Sequence, residues 1–178
     1  ANTTFVKTYQ EGMAIPHGIP IDIFPLDGAP EKSAQRKIQK MWALVYALFC
    51  SQVVPEKHGG MMATGSKVLL STFSSPKIRY KIWRFAEKQM SKYSFGSTPY
   101  VTELCVGPKY MGNIYHLEDF KSAIVVPFEE TKMPIPVGYD RYLKQVFGDY
   151  MQLPPEEEQQ PHHEAVLVYT KKAYKVND

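Results

Sequence analysis

The stretch Gly18-Ile19-Pro20-Ile21-Asp22-Ile23-Phe24-Pro25-Leu26-Asp27-Gly28 decides the fold expected for the whole chain. Residues 19–24 are apolar except for Asp22 and rich in β-forming side chains. They predict a short strand with Pro20 near its start, where a missing donor is tolerated. The following Pro25-Leu26-Asp27-Gly28-Ala29-Pro30 predicts a turn, since Asp before Gly is a common turn pattern. The alternative for Asp27 is a role in supporting Asp22.

Asp22 is a lone carboxylate in this predicted apolar strand, a costly placement unless the group is paired. Three interpretations are open. Asp22 accepts hydrogen bonds from a loop or a helix N-terminus, forms a salt bridge with a basic residue, or ligates a divalent metal at the end of a strand, where active sites of mixed sheets collect.

Apolar spacing predicts an α+β protein around this strand. We expect helices over 31–52, 76–93, 138–150 and 164–175, of which the first is a core helix. Strands are expected over 100–106 and 122–128, and the glycines between them favour pairing as a hairpin. Residues 55–65 are loop-like. The whole, 1–178, is expected to form a single domain with a small mixed sheet flanked by helices.

Composition limits the classes of function. A chain of 178 residues with 44% hydrophobic and 22% charged residues is typical of a soluble globular domain. A net charge of +3 is too mild for a nucleic-acid-binding surface, so no nucleic-acid partner is expected. The longest apolar run, 41–50, is about half the length of a membrane span, and no signal peptide is visible. These features predict a cytoplasmic protein. Cys50 and Cys105 are expected to be buried free thiols.

Two regions resemble the LicD family of phosphotransferases, the lipopolysaccharide phosphocholine transferase family. Residues 18–28 are similar to the stretch that follows the catalytic acidic pair of LicD proteins. Residues 124–163 resemble the C-terminal part of the family in order and spacing. This second resemblance is carried by Val126-Pro127-Phe128-Glu129, Pro134-Ile135-Pro136-Val137-Gly138-Tyr139-Asp140, Tyr142-Leu143, Phe147-Gly148-Asp149-Tyr150-Met151, Leu153-Pro154-Pro155-Glu156 and His162-His163.

The resemblance implies a nucleotidyltransferase-like fold. The implied activity is transfer of phosphocholine, or a similar phospho-alcohol, from a CDP-linked donor such as CDP-choline to a hydroxyl of a cell-surface glycan or glycolipid, such as lipopolysaccharide or teichoic acid. Sites of this family hold Mg²⁺ on three carboxylates, two from an Asp-x-Asp pair and one from a later strand. Asp22 matches the third, as a metal ligand or as the base on the acceptor side. Mg²⁺ prefers oxygen ligands and neutralises phosphate charge during transfer.

The sequence departs from the family because it contains no Asp-x-Asp pair. Either the chain is the C-terminal portion of the domain, incomplete at its N-terminus, or it is a relative that lacks the metal pair. We expect the first, and we expect the isolated chain not to catalyse transfer. The rival function is a non-catalytic module that binds a phosphorylated or acidic glycan.

Three residues are candidates for substrate contacts. His162 and His163 follow an acidic run, where one of them could contact a phosphate or the nucleotide. The alternative is a solvated loop. Tyr139 opens a series of aromatics at helical spacing with Tyr142, Phe147 and Tyr150. Core packing is the default for this series, whereas an aromatic face would suit the quaternary ammonium of choline.

The predicted helix over 76–93 carries a basic stripe. Its members are Lys77, Lys81, Arg84, Lys88 and Lys92, with Arg79 alongside and Glu87 opposing. Such a stripe is either a solvated face or a surface for an acidic glycolipid or an anionic membrane at which the protein is peripheral.

Overall fold

The computed structural model describes residues 3–7, 17–19, 21–51, 61–159 and 165–173. These residues form two compact units, one from Ala1–Ile23 with Asp149–Asp178 and a larger one from Phe24–Gly148. The α+β class is confirmed. The described strands form three small antiparallel sheets, so the single mixed sheet is wrong for this part of the chain. The single domain over 1–178 stays a prediction.

The smaller unit is built on one pair of strands. Strand β1 (Thr4–Lys7) pairs antiparallel with a strand over Ala165–Tyr169. The buried Thr4 hydroxyl donates to the Lys172 carbonyl at 2.8 Å, which secures the end of the pair. The helix predicted over 164–175 is therefore wrong where the chain is described. Its β-branched valines favour a strand, and the partner strand lies far away in sequence.

The larger unit begins with strand β2 (Leu26–Ala29), which pairs antiparallel with β3 (Tyr100–Glu103), and β3 pairs with β4 (Tyr115–His116). The strand predicted over 19–24 is wrong, because residues 21–25 have no regular structure. Residues 26–29, which were predicted to belong to a turn, form strand β2 instead. A Cβ on Gly28 would lie 2.5 Å from the Ser94 carbonyl oxygen and 2.9 Å from that of Tyr93. The glycine thus permits a close backbone approach and is not a turn residue.

Strand β5 (Ala123–Phe128) pairs with β6 (Thr131–Pro136), from Ala123 opposite Pro136 to Phe128 opposite Thr131. A two-residue turn at Glu129-Glu130 joins them, and Glu129 adopts a φ of 52°. The predicted hairpin between 100–106 and 122–128 is therefore wrong. The prolines of 127–136 are tolerated because both strands of a two-stranded sheet are edges.

Helices α1 (Ser33–Ser51) and α3 (Pro76–Met90) confirm two predicted helices and pack against each other. Helix α2 (Met61–Thr72) lies between them in the chain. The loop predicted over 55–65 is therefore wrong for 61–65, whereas 55–60 lie outside the described residues. Helix α4 (Tyr139–Phe147) is confirmed and ends at Gly148, whose φ is 73°. The strand over Ala165–Tyr169 is β7. Within the described residues no helix is long and apolar enough to cross a membrane.

Two apolar clusters stabilise the larger unit. Ala43, Met90, Leu104 and Met111 form the first, between α1 and α3. The second contains Val101, Tyr115 and Leu117, with Tyr142 of α4 packed against it.

Candidate functional site

A cleft of about 610 Å³ opens in the larger unit between β2, α1, α3 and the loop that follows β3. Its lining contains both acidic and basic side chains. The lining residues are Pro25, Asp27, Tyr46, Arg84, Glu87, Lys88, Met90, Ser91 and Cys105.

Asp27 is the central acid of this cleft. It lies in β2 opposite Thr102, and its side chain is partly buried. Burial raises the pKa of this carboxyl from 3.8 to about 6, because loss of water disfavours the charged form. The group is therefore mainly ionised at neutral pH and more basic than an ordinary aspartate carboxylate.

Basic groups line the same cleft from α3. Arg84 forms an ion pair with Glu87 one turn further along the helix, and Lys88 follows. Arginine and lysine are the side chains that recognise phosphate groups most often. The cleft thus combines a weak acid with cations that suit a phosphate-bearing ligand.

Cys105 lines the cleft and is a free thiol, as is Cys50. Although the residue as a whole is exposed, partial loss of water around the thiol raises the pKa of Cys105, and the negative charges of Asp27, Cys50 and Glu87 raise it further. The prediction of free thiols is confirmed. Their predicted burial is wrong, since both residues are exposed.

Gln39 holds the two walls of the cleft together. This buried side chain lies in α1, and its Nε2 donates to the carbonyl of Gly28 at 2.9 Å and to that of Met90 at 3.0 Å. The Gly28 amide also donates to the Tyr93 carbonyl at 2.7 Å. Because Gly28 follows Asp27, these bonds fix the acid relative to the end of α3.

Of the site residues predicted from sequence, the structure describes Asp22 and Tyr139, and these belong to different units. Asp22 lies in the irregular segment 21–25 and is exposed, with Ile21 and Ile23 both 86% exposed. Exposure removes the cost that burial would have imposed on this carboxylate, and its catalytic and metal-binding role stays a prediction. Tyr139 begins α4 in the other unit. His162 and His163 lie outside the described residues.

The predicted Mg²⁺ site needs more than the described residues supply. Among them, no group of three or more His, Cys, Asp or Glu side chains is placed to hold a metal ion. One exposed carboxylate at Asp22 does not match the oxygen-rich coordination that Mg²⁺ requires. The described residues alone do not form that centre.

Tyr142, one of the aromatics at helical spacing, is a packing residue. Its ring centroid lies 5.0 Å from that of Tyr115 and 5.6 Å from that of Phe120. Its hydroxyl donates to Glu103 Oε1 at 2.9 Å, and burial raises its pKa. Core packing is thus confirmed for Tyr142.

Sequence reasoning missed three polar features. Asp27 was assigned to a turn, so its cleft position was not found. The sequence did contain a signal for Gln39. This polar residue lies four positions before Ala43, on the side of α1 that is buried. Asp119 is buried and pairs with Arg141 at 2.6 Å. A side chain at Gly138 would collide with this aspartate, which explains the glycine at the start of α4.

The fold and the cleft define an α+β protein with a partly buried carboxyl of raised pKa, Asp27, in a cleft that Arg84, Glu87 and Lys88 also line. Over 46 residues the chain is 48% identical to the lipopolysaccharide cholinephosphotransferase LicD of Haemophilus influenzae. The aligned residues make up 26% of this chain and 17% of that protein, so the chain spans a small part of its relative. Part of the chain is therefore related to LicD. No family profile and no solved structure matches the chain.

Proposed function

We propose that this chain forms the acceptor-side part of a LicD-like phosphotransferase with a nucleotidyltransferase-like fold. The reaction is transfer of phosphocholine, or a similar phospho-alcohol, from a CDP-linked donor to a hydroxyl of a cell-surface glycan. The partial identity with a cholinephosphotransferase is the observation that carries the proposal. The Asp27 cleft supports it independently, because its chemistry suits phosphoryl transfer to a hydroxyl.

In the proposed reaction Asp27 is the general base. Its carboxylate accepts the proton of the acceptor hydroxyl while that oxygen forms a bond to the phosphorus carrying choline. The bond from this phosphorus to the leaving CMP oxygen breaks at the same time, so the phosphocholine group is transferred and CMP departs. A carboxyl with a pKa of about 6 is well matched to proton transfer near neutral pH.

Arg84 and Lys88 bind the phosphate oxygens in this scheme. Their charges offset the negative charge of the donor and hold the phosphorus near the acceptor. Arg84 is preoriented by its ion pair with Glu87, which reduces the ordering required when the ligand binds.

We include Mg²⁺ in the proposal on one condition: carboxylates outside the described residues must complete its binding site. Asp22 would be its ligand from this chain, and the ion would supply charge neutralisation at the phosphates. His162, His163 and Tyr139 are proposed contacts for the donor. The isolated chain is accordingly expected to bind the donor without turning it over.

Cys105 gives a direct test of donor binding in the isolated chain. We expect CDP-choline with Mg²⁺ to slow maleimide labelling of Cys105, which lines the cleft, more than labelling of Cys50, which does not line it. Lys88→Gln should weaken this protection about tenfold in donor concentration, because one charged hydrogen bond is lost. Lys109→Gln, an exposed lysine outside the cleft lining, is the matched control.

A labelling rate of Cys105 that CDP-choline does not change at any concentration would contradict the assignment of the cleft as the donor site. Release of CMP by the isolated chain would contradict its expected inactivity. Protection by a phosphorylated glycan, with none by CDP-choline, would favour the non-catalytic module instead.

A further inference from the structure

A second opening in the larger unit has a different chemistry. It is an apolar groove of about 530 Å³ between α1, α2 and α3. Eight of its nine lining residues are apolar, and the ninth is a lysine. They are Trp42, Val45, Phe49, Leu69, Phe73, Ile78, Lys81, Ile82 and Phe85.

Large side chains in this groove remain in contact with water. Ile78 is 46% exposed and Phe85 is 52% exposed, and both line the groove from α3. Phe85 packs edge-on against Trp42 with centroids 5.3 Å apart, and Phe49 packs against Phe73. The exposed side chains of Ile78 and Phe85 and the aromatic rings beside them thus form an apolar surface, which is typical of a surface that another phase or molecule covers.

Lysines run along one margin of the groove. On α3, Ile78, Ile82 and Phe85 follow helical spacing, and Lys77 and Lys81 lie on the adjacent stripe. Both lysines are exposed.

The other basic residues named from the sequence of this region have other roles, and two of them, Arg84 and Lys88, line the Asp27 cleft. Arg79 donates to the carbonyls of Leu70 and Phe73 at 2.7 Å and so secures the end of α2. Lys92 lies beyond α3, over the Tyr93 ring. The free margin therefore consists of lysines beside the groove.

We propose that this surface, the groove with its lysine margin, docks the protein on an anionic lipid bilayer. Exposed apolar side chains would enter the boundary of the acyl chains. The lysines would extend their alkyl stems beside them and reach the headgroup phosphates. A bilayer offers apolar and anionic layers side by side, which matches the groove and its margin. This docking needs no transferase activity.

Charge argues against a second copy of the chain as the occupant. A symmetric dimer through the groove would bring Lys77 and Lys81 of both copies to one interface, where like charges repel. A soluble phosphate would satisfy the lysines but leave the groove uncovered. The bilayer is the occupant that satisfies both features.

Vesicle sedimentation of the isolated chain tests the proposal. We expect binding to vesicles that contain phosphatidylglycerol, weak binding to phosphatidylcholine vesicles, and release as salt concentration rises. The double variant Lys77→Gln/Lys81→Gln should lower the partition coefficient about 25-fold, since each basic residue near an anionic surface contributes about fivefold. The control variant Lys109→Gln/Lys132→Gln removes the same charge from exposed positions elsewhere.

The apolar part has its own pair of variants. Phe85→Ser should reduce binding about tenfold. Phe128→Ser removes an aromatic ring that is 60% exposed in β5, away from the groove, and should have little effect. Far-UV circular dichroism and melting temperatures establish that each variant is folded.

Equal binding to both kinds of vesicle, or equal losses in the lysine variant and its control, would overturn the proposal. Light scattering could instead show that the wild-type chain is a dimer and that Phe85→Ser is a monomer. This result would also overturn the proposal, because the groove would then bind a second copy. CDP-choline protection of Cys105 is measured without vesicles, so failure of docking is distinguishable from failure of the proposed transferase.

Discussion

Replacing Asp27 by Asn should stabilise the larger unit at neutral pH and leave it nearly unchanged in acid. The folded-state pKa of Asp27 is about 6, against an ordinary value of 3.8. The folded protein therefore binds this proton more tightly than the unfolded chain. The resulting stability is fully present below pH 3.8 and is lost as the pH rises through about 6.

The size of the effect follows from the shift. A difference of about two pKa units at 1.36 kcal/mol each gives about 3 kcal/mol as an upper limit. Asp27 is only partly buried, and solvent screening reduces this to about 1–2 kcal/mol. The neutral amide of Asn has nearly the shape of the protonated acid, so Asp27→Asn should raise the free energy of unfolding by that amount above pH 7.

Urea denaturation between about pH 4 and pH 8 measures this difference. Both tryptophans, Trp42 and Trp83, lie in the larger unit, so their fluorescence reports the unfolding of the unit that contains Asp27. Asp140→Asn is the control, because that exposed carboxylate pairs with Lys144 on the surface of α4 and should change stability by no more than about 0.5 kcal/mol. Destabilisation by Asp27→Asn at pH 7.5, or a difference that does not vary with pH, would refute the reasoning.

Three further substitutions test the supports of the fold. Gln39→Leu should cost about 2–3 kcal/mol by urea denaturation, since two buried carbonyls lose their donor; a loss below 0.5 kcal/mol, on the order of a surface change, would contradict the described role. Gly28→Ala should lower the melting temperature by several degrees through collision with backbone oxygens, whereas Gly65→Ala, at an open position of α2, should raise it slightly. Arg141→Gln should cost about 1–2 kcal/mol because the buried Asp119 loses its charged partner; an unchanged urea midpoint would show that water replaces the arginine.

The helices were the part of the fold that sequence could predict. In α1, α3 and α4, apolar spacing is local, and the stop at Gly148 is visible in the chain. Strand pairing is not local. Partners of β3 lie in β2 and β4, and β7 pairs with a strand near the other end of the chain. No spacing rule joins such distant segments, so the expected hairpin and the last helix were wrong.

The candidate site was only partly visible in the sequence. The motif around Asp27 was recognised, but its Asp-Gly pair was interpreted as a turn. The same pair of residues also fits a strand that approaches another backbone closely, and the sequence does not distinguish the two. Cations on α3 were predicted, whereas their division between the cleft and the groove depends on packing. The raised pKa of Asp27 arises from burial and has no signature in the chain itself.

Release of CMP from CDP-choline, with Mg²⁺ and a glycan acceptor, tests the central claim most directly when it is measured on a protein in which this chain is joined to a segment that carries an Asp-x-Asp pair. The account predicts that Asp27→Asn lowers kcat about a hundredfold or more with little change in the KM for the donor, because a general base is lost. The wild-type rate should fall as the pH drops below about 6, where Asp27 becomes protonated. Glu118→Gln, at an exposed carboxylate that pairs with Lys121 outside both regions of the resemblance, should retain full activity. Full activity in Asp27→Asn, with its folding verified, would contradict the account.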